Sequence, residues 1–509
     1  MKIASAPSER WWGPVINHGA AMPFGGDTNY SADLFGTNYG NQVNPLLVSS
    51  AGQWVWSHAP LAVNASKDAI TVTSPGPIDA GSSGSTLRDA FCAARDRYFP
   101  ATGVLPEPLL FTQPQWNTWI ELTYDQNQDD ILAYAERIVA EGHGAGVLMI
   151  DDTWQEDYGV WNFHPARFSD PQTMMDRLHK LGFKVMLWMV PFISPDSPQG
   201  RKLEKEKLLV MEAGEEGEAG PNAAIFRWWN GASSSLDLTH PGAIAWFKGE
   251  LDRLQNEFGA DGFKLDAGDV ESYHRKGLAY HRTPETPNDI CEAWGRIGLD
   301  YPLNEYRACY KLAGEGIAQR LRDKKHNWAD LQTLVPCGIQ SGLMGYTFVC
   351  PDMIGGGEFG SFLQLGTIDQ DLLVRSAQAS ALFPMMQFSV APWRVLDQEH
   401  QDACLAMSCL HTDLGAEILT LALQAAEDGE PILRSMEYVF PHQGLTSVQD
   451  QFMLGNDILV APVVRPGAVT RTIHFPEGKW RGDDASTVTG PTMVEVDAPI
   501  SRLPWYRRT

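Results

Sequence analysis

The 509-residue chain has no apolar run approaching the roughly 20 residues that span a bilayer, so no membrane segment is expected. Its seven cysteines (Cys92, Cys291, Cys309, Cys337, Cys350, Cys404 and Cys409) include no C-x-x-C pair and no ligand spacing with histidine. An odd, scattered set reads as reduced thiols in an intracellular setting. The opening MKIASAPSERWW has no apolar core of a signal peptide, and a soluble, cytoplasmic protein is the expectation. The 13 histidines form no H-x-H or H-E-x-x-H, and no P-loop, dinucleotide fingerprint or G-x-S-x-G elbow appears. Neither a metal nor an organic cofactor is therefore expected. Basic residues are in deficit, 39 against 63 acidic ones, a net charge of −24. That field repels nucleic acid and acidic membrane surfaces. A neutral small molecule is not disfavoured, and a homo-oligomer is compatible with it.

What remains is a long, well-packed chain. Hydrophobic residues make up 43% and aromatics 10%, enough for a large core and more than one domain. Seventeen tryptophans exceed what packing usually recruits; filling the core is their commoner use, stacking on a flat ligand face the other. Residues 1–107 hold short apolar stretches between Gly, Ser, Asn and Pro, the pattern of a β-sandwich-like domain. From 108 to about 410 strand and helix patterns alternate. Strands are read at Leu109–Trp119, Gly146–Trp154, Phe183–Ile193 and Asp261–Asp269, and helices at Asp129–Gly142, Pro171–Leu181 and Ala243–Phe258. Leu303–Arg307, Tyr346–Cys350 and Met385–Ser389 bring the strand count near eight. Parallel βαβ units follow, and a (β/α)8 TIM barrel is favoured over an open doubly wound sheet because no Gly-rich phosphate turn follows the first strand. The excursion at about 194–241, with Phe226–Gly231 inside it, is too long for an ordinary loop and reads as an insertion over the barrel mouth. The acidic run Glu212–Glu218 reads as a solvated loop. Residues 411–509 read as a C-terminal β-domain, with Gln451–Val464 and Val469–Phe475 as hairpin strands about Arg465–Ala468.

Polar residues cluster at the ends of the apolar barrel strands: Trp116, Asp151 with Asp152, Asp266 two residues after Lys264, and Asp352 before a Gly-Gly-Gly turn. A TIM barrel keeps its chemistry at that rim. A single strand-end Asp is more often a cap or an ion-pair partner than a catalyst, but three such clusters in one barrel weigh against that. Carboxyl groups supplied from different strands suit glycosyl transfer, where one attacks the anomeric carbon and another protonates the leaving oxygen.

The ordered motifs IDDTWQ, HPARFSDP, KVMLWMVPFISPDS, FRWWNGASSSLDLTHP, GFKLDAGD and VCPDMIGGG resemble glycoside hydrolase family 31 over roughly residues 108–485. The later SVQDQFMLGNDILVAPVV and FPEGKW are similar to that family's C-terminal β-domains. The resemblance implies a retaining, exo-acting α-glycosidase with Asp266 as nucleophile. Its ladder of an Arg, an acid/base Asp 16 residues on, a Trp five further and a later Asp fits Arg307, Asp323, Trp328 and Asp352, and implies Asp323 as acid/base. Asp330 then falls to a helix. The same comparison implies a substrate pocket of Asp151, Asp152, Trp188, Trp229, Lys264, Arg307 and Asp352, with carboxyls of Asp266 and Asp323 about 5–5.5 Å apart. An acid at Asp323 requires Arg322, Lys324 and Lys325 to point away. Three departures (Asp269 where many members have Glu, Lys324 after the acid/base, and MMQFSVAPWR where glucosidases carry Arg-Asn-His) resemble the branch holding an α-galactosidase and the myogenesis-regulating glycosidase. An oligosaccharide or glycoside ending in α-galactose is the substrate so implied; an α-glucosidase or transglycosylase, or a catalytically silent carbohydrate-binding protein, are the alternatives.

Overall fold

The computed structural model describes residues 1–4, 6–25, 28–66, 69–214, 219–364 and 367–509. Near the N-terminus two four-stranded antiparallel sheets form, one from Lys2–Ile3, Tyr30–Asp33, Ala62–Ser66 and Ala69–Thr73, the other from Trp11–Trp12, Leu46–Ser49, Gln53–Ser57 and Ile78–Ser82. In Ala62–Ser66 and Ala69–Thr73 buried and exposed residues alternate, as in a sheet with one face on the core. The helix Leu87–Tyr98 starts on a capping box between Thr86 and Asp89, and Tyr98 stacks on Trp56 at 5.1 Å.

The centre is a barrel of eight parallel strands: β1 (Gln115–Asn117), β2 (Val147–Ile150), β3 (Lys184–Met189), β4 (Gly262–Leu265), β5 (Asn304–Tyr306), β6 (Gln319–Arg320), β7 (Val349–Cys350) and β8 (Gln387–Phe388). They pair in order from β1 to β7, and β8 pairs with β1. Between β7 and β8 the wall closes through the Ile354 N–H, which donates to the Gln387 carbonyl at 2.8 Å. Continuous apolar runs such as VLMI and VMLWM are what strands covered on both faces require. Helices Gln128–Ala140, Pro171–Lys180 and Pro241–Phe258 lie between strands, capped by Asn127, Asp170 and His240, with Pro at the start of the last two. No helix among the described residues is long and apolar enough to cross a membrane.

Several sequence expectations change here. The strand read at Leu109–Trp119 is only Gln115–Asn117 between two single-turn helices. Trp116 does not face the mouth: its ring stacks on Phe388 at 4.6 Å, beside His143 and Trp393 in the outer layer, while its neighbour Gln115 bonds Gln387. Alternation along a strand sends successive side chains to opposite faces, and here the polar ones took the inside. Phe183–Ile193 divides into β3 and a short strand Phe192–Ile193. Strand β6 was not foreseen at all.

After β3 the insertion forms a helix, Pro198–Lys205, and two antiparallel hairpins. Met211–Ala213 of the acidic run is a strand paired with Ala219–Ala223; residues 215–218 of that run lie outside the described residues. The second hairpin pairs Phe226–Trp228 with Gly231–Ser235 and turns at Trp229-Asn230, with Gly231 at φ 96°. Helices continue to Asp428, and a six-stranded sheet begins at Leu433. Its hairpins are not the expected ones. Phe452–Leu454 pairs with Ile458–Val460 about Gly455, and Thr470–Gly482 pairs with Thr487–Asp497. The Arg465–Ala468 break joins two hairpins instead of closing one.

Candidate active site

At the C-terminal ends of the barrel strands lies a cavity of about 610 Å³. Asp151, Asp152, Trp188, Trp229, Lys264, Asp266, Arg307 and Asp323 line it, together with Trp119, Tyr124 and Phe359. Asp352, expected among the substrate-binding residues, does not line it.

Asp266 ends β4, and the chain then turns through two left-handed residues, Ala267 at φ 55° and Gly268 at φ 74°. A side chain at Gly268 would lie 2.3 Å from the Trp294 ring. This turn aims Asp266 and Asp269 at one arginine. Arg307, at the end of β5, donates through Nε to Asp266 Oδ1 at 3.1 Å and through Nη1 to Asp269 Oδ1 at 3.0 Å. Asp266 also accepts from Trp188 Nε1 at 3.0 Å and from the Ala267 N–H at 2.8 Å. Lys264 Nζ stands 3.9 Å from it and 2.8 Å from Asp151 Oδ2. Burial opposes a charge on Asp266, but Arg307, Lys264 and Arg320 outweigh it and hold the carboxyl well below its ordinary range. Asp266 is an ionised carboxylate with fixed donors on both oxygens.

Asp152 is placed differently. Its oxygens accept from Tyr158 at 3.1 Å, from the Thr153 N–H at 2.7 Å and from Asn230 of the inserted hairpin. No lysine or arginine among the described residues forms an ion pair with it, and Arg167 feels its charge only from a distance. Burial, with the charge of Asp151 beside it, pushes its carboxyl up to about 7. Through Asn230 it anchors the hairpin tip, and the adjacent Trp229, half exposed, sits over the Arg307 guanidinium at 5.6 Å. Tyr124 reaches the same tip by its hydroxyl, 2.9 Å from Asn230 Oδ1.

On the other wall stands a residue that the sequence reading passed over. Arg320, fully buried at the end of β6, donates through Nη1 to Asp323 Oδ1 at 2.6 Å and to Asp352 Oδ1 at 3.0 Å, and its Nε faces Glu305 Oε1 at 3.2 Å. Asp352 is 3% exposed, and its Oδ2 accepts from the N–H groups of Lys324 and Gly357, at 2.5 and 2.8 Å. With every oxygen engaged inside the protein it has none for a substrate. Burial pushes Asp352 up to about 6, Arg320 opposing and Asp323 adding to the rise. Asp323 itself is open to the cavity. Arg322 turns from its carboxyl to Asp330, at 3.3 Å, and Asp330 closes the start of the helix Trp328–Leu331 with its N–H on Asn327 Oδ1.

The N-terminal sheets reach this rim through residues 38–42. Gly40 O accepts from Arg307 Nη1 at 2.7 Å, Asn38 donates to Asp269, and the side-chain amides of Asn41 and Gln42 both donate to the carbonyls of Arg307 and Arg320. A Gly/Asn-rich NYGNQ reads as an ordinary turn, and only its polar content buried against the barrel marks it out.

Residues 111–325 match the model of the glycosyl hydrolases family 31 TIM-barrel domain, and residues 429–509 that of the glycosyl hydrolase family 31 C-terminal domain. The chain belongs to glycoside hydrolase family 31. Among family 31 relatives, mouse myogenesis-regulating glycosidase is 32% identical over 419 residues, covering 79% of this chain and 57% of that protein. A 1,3-α-isomaltosidase of Kribbella flavida is 24% identical, over 67% of this chain and 50% of its own length. The chain spans about half the length of the curated relatives it matches. A family 31 dextranase of Flavobacterium johnsoniae, solved with glucose, superposes on the whole chain and on 66% of its own with a TM-score of 0.85 at 19% identity, a likeness of fold.

Proposed function

We propose that this family 31 chain is a retaining, exo-acting α-glycoside hydrolase with Asp266 as nucleophile and Asp323 as acid/base. The observation that carries the reading is the opposed character of the two carboxyls on one cavity. Asp266 is buried and held ionised by Arg307 and Lys264, as a nucleophile needs. Asp323 faces the same cavity from another strand end, free to exchange a proton with a ligand. In the first step an Asp266 oxygen forms a bond to the anomeric carbon as the glycosidic bond breaks. The proton of Asp323 passes to the departing oxygen, which leaves as a neutral alcohol. In the second step water gives a proton to the Asp323 carboxylate and attacks the anomeric carbon, and the bond to Asp266 breaks to restore its carboxylate. Lys264, Trp188 and Arg307 hold the nucleophile. Asp151 and Asp152 stand where sugar hydroxyls would lie, and Trp229 offers a ring face above them.

The hairpin tip over one side of a deep cavity favours release of a terminal sugar. For that sugar we favour α-galactose, supported by Asp269, by Lys324 after the acid/base and by the sequence MMQFSVAPWR at β8, where Gln387 and Ser389 are bound into the wall and leave no histidine for the pocket. The second reading, an α-glucosidase or transglycosylase, is favoured by relatives named as an isomaltosidase, an isomaltosyltransferase, an α-xylosidase and α-glucosidases. A panel of p-nitrophenyl α-glycosides separates these. The galactoside should have the highest kcat/KM; a glucoside preference above about tenfold, roughly 1.4 kcal/mol in transition-state binding, reverses the sugar. Asp266→Ala should abolish turnover, with azide restoring part of it as the inverted glycosyl azide. Near-normal activity in that variant ends the reading.

A further inference from the structure

A general acid beside an arginine is a contradiction that the fold has to resolve. Asp323 Oδ1 lies 2.6 Å from Arg320 Nη1, and a cation at that distance favours loss of the proton the reaction needs. The groups facing Asp323 come from several elements: Arg320 from β6, Glu305 behind it from β5, Arg307 and Asp266 across the cavity, Arg322 and Lys324 from its own loop, and Asp352 and Glu358 from the segment after β7. Arg322 is occupied by Asp330. Arg320 is the cation that matters, and it is not available to Asp323 alone.

We infer that Asp352 is the positioning residue of the acid: its carboxylate, held on Arg320 and by two backbone N–H groups, shares that arginine's charge and so lets Asp323 carry a proton beside it. The inference rests on the reading of Asp323 as acid/base. Two carboxylates that share one guanidinium divide its charge and repel each other, which favours a proton on one of them over either paired with the arginine alone. The geometry decides which of the two holds it. Asp352 meets donors only, Arg320 on one oxygen and the Lys324 and Gly357 N–H groups on the other, so a proton on it would meet no acceptor and would break a bond already made. Asp323 has cavity on its free side. The spacing is tight: a Cβ at Gly357 would lie 2.6 Å from Asp352 Oδ1 and 3.0 Å from Asp323 Oδ1, so glycine there lets both carboxyls converge on Arg320. Burial is the main cause of the rise of Asp352 to about 6, and the charge of Asp323 adds to it. Lys324 Nζ is buried and makes no hydrogen bond to the described residues, and its charge partly offsets that of Asp352.

The experiment compares leaving groups in the full chain, on the sugar that the glycoside panel selects. Asp352→Asn should lower kcat/KM on the methyl α-glycoside, whose leaving group needs protonation, by about 100-fold, but on the glycosyl fluoride, which needs little, by no more than about threefold. The alkaline limb of its pH profile should move down by about one unit. Lys324→Met removes a buried, unbonded ammonium and should move that limb up instead, and it serves even if Asp352→Asn yields no folded protein. Equal losses on both substrates, or limbs that stay in place in both variants, overturn the inference. Asp323→Asn is the reference: if it lacks the leaving-group split, the acid/base reading itself fails, whereas a split there with none in Asp352→Asn removes only the role given to Asp352.

Discussion

Asp152→Asn should make the protein more stable at pH 8 and not at pH 4. Asp152 is 2% exposed, has no ion-pair partner among the described residues and is raised from 3.8 to about 7 by burial and by Asp151. Each unit is 1.36 kcal/mol, so roughly three units correspond to about 4 kcal/mol of strain in the ionised form. In the unfolded chain the group ionises above about 3.8, and in the folded one only above about 7. Between these values the folded state binds the extra proton, so stability falls as pH rises through that window and is flat above it. Asparagine removes the titration. It also turns an N–H₂ group toward Asn230, losing a bond of about 1 kcal/mol, which leaves a net gain of roughly 3 kcal/mol at pH 8. Urea denaturation followed by tryptophan fluorescence at pH 4 and pH 8 measures both differences. A variant that is less stable than the parent at pH 8, or shifted equally at both values, refutes the account of Asp152 as a buried, uncompensated carboxylate.

Lys264→Met leaves Asp151 buried without its cation and should destabilise by about 3–5 kcal/mol, while the pair Lys264→Met with Asp151→Leu should recover most of that in the same denaturation experiment. Gly268→Ala puts a Cβ 2.3 Å from Trp294 in a left-handed turn, so the Asp266 loop must shift; activity on the best p-nitrophenyl glycoside should fall at least about 100-fold. Trp229→Ala should raise KM more than it lowers kcat, since in the proposed reading its ring, which lines the cavity, meets the sugar and not the reacting atoms; an unchanged KM would remove it from the substrate contacts.

Much of this was legible because the residues concerned end long apolar strands. VLMI followed by DD and GFKL followed by DAGD declare both the barrel and its rim, and Asp151, Asp152, Lys264 and Asp266 all meet in the cavity. Arg320 was not legible. Its strand is two residues long, Gln-Arg, with no apolar run to announce it, and a buried arginine leaves no pattern until its three carboxylates are located in space. Asp352 misled for the opposite reason: a strand-end Asp before three glycines looks like a ligand site, yet the N–H groups of Gly357, the last of the three, and of Lys324 meet its carboxylate and close it off. Trp116 shows that a strand three residues long does not reveal which of its faces is inside.

The amides of Asn41 and Gln42 have a consequence in time. Their acceptors, the carbonyls of Arg307 and Arg320, lie 265 to 279 residues further along the chain. At synthesis rates of about 5–20 residues per second, the loop from 38 to 42 exists for roughly 13–56 s before those carbonyls have been made. Until then water has to satisfy those two amides, and the loop that supports Arg307 and Asp269 is in place before either of them emerges. The rim that carries the proposed catalytic groups is thus completed by a docking event between an early and a middle part of the chain, and the appearance of the proposed activity on the ribosome or in refolding would be a clock for that event and not for closure of the barrel alone.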